Sequence, residues 1–328
     1  MNNRGALRAG IYIFSRAKPF RYFSFLSLQF SVFSICIFGG DDLGELLPYE
    51  IWYENSVGET IRFDEAPIVV QTTGLFDWQW SLSAYDRALR DGGRAVAARR
   101  PVQDRTLVLD VFADSQSEHD AALDRIHNVL EYDLCALTPG KLWINDRYVR
   151  CFATASVKTL DRDWTTYTVV GLTLKLISPA WVKEETVTVL PVTAEAASSD
   201  KKYLGKYPYK YSEGGNVVRF VNDTASSAPM ILKIFGACSN PSVYVGENEY
   251  SVNTTIAAGE YVMIDQRDKS IIRVSQSGAR ANIFNLRKKS VDNFLPASPG
   301  SLAVSCSGQF ACEVTFLTQR SEPERCAN

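Results

Sequence analysis

The sequence predicts a mainly β protein in two domains: a β-sandwich or split barrel with one covering helix, followed by a jelly-roll or lectin-like β-sandwich. Three observations carry this. Short segments alternate apolar and polar residues at a period of two, and turn residues punctuate them. Only the stretch after Ser115 keeps a convincing helical period. The 328 residues are enough for two cores. The bounds read as 1–45 leader, 46–190 first domain, 191–215 linker, 216–320 second domain and 321–328 tail.

The leader stands apart. Positions 22–40 carry no charge and follow Arg4, Arg8, Arg16, Lys18 and Arg21, the pattern of a signal sequence or an N-in membrane anchor. Against this, Ser24, Ser27, Ser31 and Ser34 dilute one stripe of such a helix, and no Ala-x-Ala site follows. Ile35 is bulky for a position preceding a lipid-modified Cys36. An accessory or mis-started leader is therefore preferred, with the anchor or signal as the other reading.

In the first domain, Tyr49 to Tyr53 and Thr60 to Phe63 flank Asn55-Ser-Val-Gly58, a hairpin of the longer kind. Thr106 to Phe112 puts Leu107, Leu109 and Val111 on one face. Ser115-Gln-Ser-Glu118 has the spacing of a capping box, and Leu123, Ile126 and Leu130, widened by Ala122 and Val129, form an apolar stripe. Asp120, Asp124 and Arg125 take the wet side. Asn145-Asp146 then sits between two strand-like arms as a two-residue turn, with Asp accepting left-handed geometry less readily than Gly. A long strand runs from Thr165 to Ile177, and Pro179 is expected to end it because proline cannot donate to a ladder.

The linker is rich in Lys, Ser, Gly and Tyr. Beyond it, Val217 to Val221, Met230 to Phe235, Ser242 to Val245, Tyr261 to Ile264, Ile271 to Val274, Ser301 to Val304 and Ala311 to Phe316 read as strands. No helix of three turns interrupts them.

The chemistry is sparse. With 35 basic and 37 acidic residues the chain has no overall field that would gather nucleic acid. His119 and His127 are two helical turns apart and read as surface residues rather than a metal pair. There is no G-x-S-x-G elbow, no complete glycine cradle and no C-x-x-C among the seven cysteines. Cys151 reads as a core thiol; Cys306 and Cys312 face one another if Ser307-Gly308-Gln309 turns a hairpin, with bridge or core pair left open. The interval from Asp104 to Asp133 holds eight acidic and two basic residues, a solvated face rather than a metal site. No carboxylate pair stands out for glycan hydrolysis. The expectation is a non-enzyme with no cofactor and no metal, working through contact surfaces.

The candidate contacts are Trp78, Trp80, Arg94, Arg99 and Arg100. All six tryptophans, at 52, 78, 80, 143, 164 and 181, lie in the first domain. Trp78 and Trp80 share a face if their segment is a strand; core packing outweighs an exposed patch as their reading. Arg94, Arg99 and Arg100 suit a partner's carboxylates, or else form a basic loop beside the acidic helix region.

The order of these pieces resembles the distal tail proteins, also called phage tail family or baseplate hub proteins, of long-tailed phages and prophages. The likeness lies in Gly58-Glu-Thr-Ile-Arg-Phe63, the looped Gly92-Gly-Arg94 before the strand Thr106 to Phe112, the helix from Ser117 to Leu130 followed by Pro139-Gly140-Lys-Leu-Trp-Ile, and Ser178-Pro-Ala-Trp181. Asn222, Gly236-Ala-Cys-Ser-Asn-Pro241, Gly259-Glu260 and Leu295-Pro-Ala-Ser-Pro-Gly300 look like turns of that family's galectin-like domain. The resemblance implies a homo-hexameric ring at the end of the tail tube, in a virion tail tip assembled in the bacterial cytoplasm. It implies the tail tube protein, a tail-associated hub protein and receptor-binding proteins as partners, and no nucleic-acid specificity. The leader departs from the family. Taken at face value it supports the alternative, a membrane-anchored or exported β-sandwich adhesion or carbohydrate-binding protein, so membrane association stays open.

Overall fold

Alternation and turn chemistry set the first strands. β1 (Ile51–Glu54) and β2 (Thr60–Arg62) pair antiparallel, burying Ile51, Tyr53 and Ile61. Asn55 holds their turn: its side-chain oxygen accepts from the N–H groups of Val57 and Glu59 at 3.2 and 2.8 Å, and Gly58 takes φ 89°. The structure, a computed structural model, describes residues 49–87, 91–160, 165–191, 217–308 and 310–324. The leader lies outside the described residues, as do the linker beyond its first position and the last four residues.

β3 (Asp64–Glu65) and β4 (Ile68–Thr73) follow, then β5 (Ser81–Asp86) and β6 (Gly93–Arg99) as a two-stranded sheet of their own. β7 (Gln103–Phe112) buries Leu107, Leu109 and Val111 as its alternation requires. α1 (Gln116–Ala136) starts at the expected cap, where Ser115 Oγ accepts from the Glu118 N–H at 3.3 Å. It ends at Leu137, whose φ of 51° lets its N–H reach the last carbonyls. Ala122, Ile126, Val129 and Leu130 are buried as one stripe. His119 corrects the surface reading: it is 1% exposed, because position 119 continues that stripe toward the N-terminus. His127 is exposed and meets Glu131 at 2.9 Å.

β8 (Gly140–Ile144) and β9 (Arg147–Leu160) turn on Asn145-Asp146, and the left-handed residue is Asn145, φ 54°. β10 (Tyr167–Val189) is the long strand, but Pro179 does not end it. Along one edge β10 pairs with β7 from Tyr167 to Leu176 and with another strand from Trp181 to Val189. On the other edge the register with β9 shifts between Leu176 and Val182. Pro179 falls in both gaps, where no ladder bond is asked of its missing N–H.

The remaining strands are β11 (Val218–Asn222), β12 (Met230–Phe235), β13 (Cys238–Ser239), β14 (Ser242–Val245), β15 (Asn248–Ser251) and β16 (Thr255–Ile256). β17 (Tyr261–Asp265), β18 (Ser270–Val274), β19 (Arg280–Asn282), β20 (Gly300–Cys306) and β21 (Cys312–Arg320) complete the chain. The strand that takes over the edge of β10 from β7 is β21. The described helical content after β10 is one 3-10 turn, Phe284–Leu286.

A sheet of 13 strands results, β19-β18-β17-β12-β21-β10-β9-β8-β1-β2, with β7, β4 and β3 branching from β10. β2 on β1 and β3 on β4 are separated by Phe63 alone, so the first strands pair in a circuit. Inside it, beside α1, lies one core that includes Tyr53, Phe63, Leu109, Ile126, Leu142 and Leu172. A second core gathers Leu232, Ile264 and Val314 from the long sheet with Phe220, Val243 and Val304 from a four-stranded sheet, β11-β20-β14-β15. Phe220 stacks on Phe316 across it, centroids 3.7 Å apart. The described residues all fall in one compact unit. The mainly β class with one α-helix is as the sequence predicts.

Candidate contact surface

Among the described residues, the hairpin β5–β6 leaves large apolar side chains uncovered. Its register pairs Leu82 with Ala98 and Tyr85 with Arg94, with a bulge after Ser83. Neither face lies on a sheet: from Leu82 to Arg87 and from Asp91 to Arg99 every described residue is exposed. Leu82, Tyr85 and Val96 are 63%, 52% and 66% exposed. An isolated two-stranded hairpin is marginal in water, and this one leaves large apolar side chains exposed on both of its faces. The sequence gives no sign of these strands, and Gly93 and Arg94, expected in a loop, begin β6. Ala95, Ala97 and Ala98 are poor strand formers, and no polar–apolar alternation marks β6.

The expected contact residues cluster on this arm. Trp78 and Trp80 are 60% and 42% exposed, so core packing does not hold for them. They precede β5, outside any strand. The Arg100 guanidinium stands 4.6 Å above the Trp80 ring, and Trp80 Nε1 donates to Ser321 Oγ at 3.2 Å. Burial pulls the Arg100 guanidinium below its ordinary range, and its Nε has no hydrogen-bond partner. Arg94 and Arg99 are on β6 rather than in a loop, Arg99 opposite Ser81 at the base and Arg94 near the tip. The structure thus brings Trp80 and Arg100 together and leaves Arg94 well along the arm. Below them, Gln103 Nε2 donates to the Gln79 carbonyl at 2.7 Å and Arg105 to that of Asp77 at 3.1 Å, so the base is pinned.

Away from the arm, polar groups that line the grooves and the first core are held by partners of this chain. A groove of about 690 Å³ beside α1 is lined by Arg62, Glu65, Phe112, Glu118 and Arg125. Arg62 is spent on Asp64 and Glu65, and Arg125 on the Thr60 carbonyl. Tyr53 donates to Asp133 at 2.5 Å; its burial first, then the Cys151 thiol and Asp133, push the phenol far above its ordinary range. Burial holds the Cys151 thiol at about 12, an inert core group. Among the described residues no group of three His, Cys, Asp or Glu side chains is placed to hold a metal ion. Nor, among them, is any helix long and apolar enough to cross a membrane.

No protein-family model matches the chain, and no curated protein matches it. Solved structures do. The crystal structure of the phage SPP1 Dit protein, described as a paradigm of the hub adsorption apparatus in phages infecting Gram-positive bacteria, matches at TM-score 0.56 and 11% identity. The match covers 83% of this chain and 99% of that one. The fold is that of Dit. Chains of the phage P2 baseplate in its activated conformation, with Ca and with Sr, match at TM-scores of 0.54 and 0.53 and 12% identity, each over 84% of this chain and 99% of the other. A match of that extent is too long for either core alone, so the Dit fold accounts for both. At these identities the likeness is one of fold.

Proposed function

We propose that this chain is a structural component of a phage or prophage tail tip, a hexameric hub joining the tail tube to the baseplate or host-recognition apparatus. The observation that carries the reading is the β5–β6 arm. Fully burying an apolar side chain stabilises by about 1.5–3 kcal/mol, and the described residues leave much of that unrealised at Leu82, Tyr85 and Val96. Another protein surface would realise it. The Dit fold supports the tail reading, since the proteins that share it include a phage hub protein and baseplate chains.

The domains proposed are 46–190, forming the ring, and 216–320, a galectin-like β-sandwich outside it. Charge supports a head-to-tail contact between copies. Residues 81–100 carry five arginines and two aspartates, whereas 104–133 carries eight acids and two basic residues. An arm from one copy laid on the acidic α1 side of the next is a heterologous contact, the kind that closes into a ring. Trp78, Trp80, Arg94, Arg99 and Arg100 are proposed as its contact residues. The tail tube protein, a hub protein and receptor-binding proteins are the further partners, in a virion tail tip assembled in the bacterial cytoplasm. Holding chains together asks for no catalysis, cofactor or metal.

The test is absolute mass by light scattering of the purified chain, alone and mixed with tail tube and hub proteins. A six-fold mass, alone or on adding a neighbour, is expected. A chain that stays monomeric and joins neither overturns the proposal.

A further inference from the structure

β20 belongs to the four-stranded sheet and β21 to the long sheet, and each carries a cysteine at the end where the chain crosses between them. Cys306 Sγ and Cys312 Sγ lie 2.7 Å apart, both as free thiols. That separation is between the roughly 2.0 Å of a disulfide bond and ordinary non-bonded packing. The approach is built into the strands rather than left to a loose loop. Cys306 sits opposite Val243, and Ser307 next to it donates to the Ser242 carbonyl at 2.9 Å. Cys312 sits opposite Val189 and Ile234, and Ala311 next to it accepts from the Phe235 N–H at 3.0 Å.

We propose that Cys306 and Cys312 are a reversible redox site, closing to a disulfide that staples the two sheets of the second core when the chain meets a low-molecular-weight disulfide. Their chemistry is asymmetric in the sense this needs. Cys312 is buried and shares a hydrogen bond with Cys306, which is half-buried and so within reach of a small reagent. That hydrogen bond draws the Cys306 thiol below its ordinary range, while it, together with burial, holds the Cys312 thiol far above.

With oxidised glutathione, the Cys306 thiolate attacks one sulfur, forming a mixed disulfide and expelling one glutathione thiolate. Cys312 then gives up its proton and attacks the Cys306 sulfur, expelling the second. Two cysteine thiols are oxidised, one disulfide is reduced to two thiols, and the cysteine protons pass to the leaving thiolates by way of solvent. In a reducing cytosol the pair stays open, and outside the cell it closes. This inference does not rest on the tail-tip reading.

Cys238 is the competitor, because it is near enough to Cys306 for a Cys306 thiolate to raise its own ionisation range, after burial has done so. The test equilibrates the full chain in mixtures of reduced and oxidised glutathione, quenches with acid, alkylates free thiols and maps peptides. Trypsin leaves both cysteines in one peptide, so chymotryptic cleavage after Phe310 is used to separate them. As the mixture becomes oxidising, the chain is expected to lose two hydrogens, with the Cys306 and Cys312 peptides joined and dithiothreitol restoring them. Cys238→Ser should leave that bridge and its midpoint unchanged, and Cys306→Ser should abolish it. The oxidised chain should melt higher than the reduced one, a rise absent in Cys306→Ser. Both cysteines still fully alkylated in oxidised glutathione, in a chain whose near-UV circular dichroism is that of the folded protein, overturns the proposal. So does a bridge from Cys306 to Cys238, or an oxidised chain that melts lower.

Discussion

Tyr53, Asp133 and Gly140 meet where β1, α1 and β8 converge on the first core. Asp133 is fully buried and divides its carboxyl between the Tyr53 hydroxyl at 2.5 Å and the Ser56 N–H at 2.7 Å. A Cβ on Gly140 would collide with both the Tyr53 hydroxyl and that carboxyl, so the glycine is needed for space. Tyr53→Phe should cost about 2 kcal/mol for the lost bond to a buried acid, and Gly140→Ala as much or more through overpacking, both read from urea denaturation. A Gly140→Ala chain as stable as the natural one would show the contact to be looser than drawn.

Asp265, 5% exposed, illustrates a pH dependence at the same scale. Burial pushes its carboxyl up, but the Arg267 guanidinium and the N–H groups of Arg267 and Asp268 outweigh that and hold it below its ordinary range. A carboxyl depressed in the folded state stabilises fully above its unfolded value of about 3.9, and that contribution is lost as pH falls through the depressed one. Asp265→Asn should therefore be less stable at neutral pH, with the gap to the natural chain narrowing in denaturation curves below about pH 4. A gap that widens in acid has the wrong sign.

Among the elements, the β5–β6 arm and β10 differ most from what their residues announce. Trp78→Ala with Tyr85→Ala should leave thermal stability within about 0.5 kcal/mol of the natural chain, since both rings face solvent. The same pair should weaken self-association measured by sedimentation. A large fall in stability without a change in association would make the rings part of this chain's own packing. The arm was poorly legible because the alanine-rich β6 carries no alternation, and aromatic side chains point to burial whichever chain supplies it. α1 was legible to its cap, because Ser115 accepts from the Glu118 N–H through a local spacing. Pro179 misled for the opposite reason: a missing N–H matters only where a neighbour asks for it, and β7 and β21 leave that position unclaimed.

At the scale of the molecule, β10 gives Val170, Leu172, Leu174 and Leu176 to the first core and Val187 and Val189 to the second. β21 lies beside it, and Glu324 just beyond accepts from Nε and Nη2 of the buried Arg147 at 3.3 and 3.0 Å. Tyr148 and Lys183 add bonds to Glu184 and Asp146 in the same region. With one strand in both cores, melting by differential scanning calorimetry should give a single cooperative transition. Two well-separated peaks would mean that β10 does not couple them.

By itself the sequence determined the mainly β class, most of the strands in both halves and the capped helix, because period, turn residues and capping act between neighbours in the chain. Tertiary structure alone decided that β10 and β21 join both halves in one sheet, that His119 is buried, that Trp78 and Trp80 are not, and that Cys306 meets Cys312. Those outcomes depend on which strand lies beside which, and pairing between distant segments leaves no period in the residues that take part.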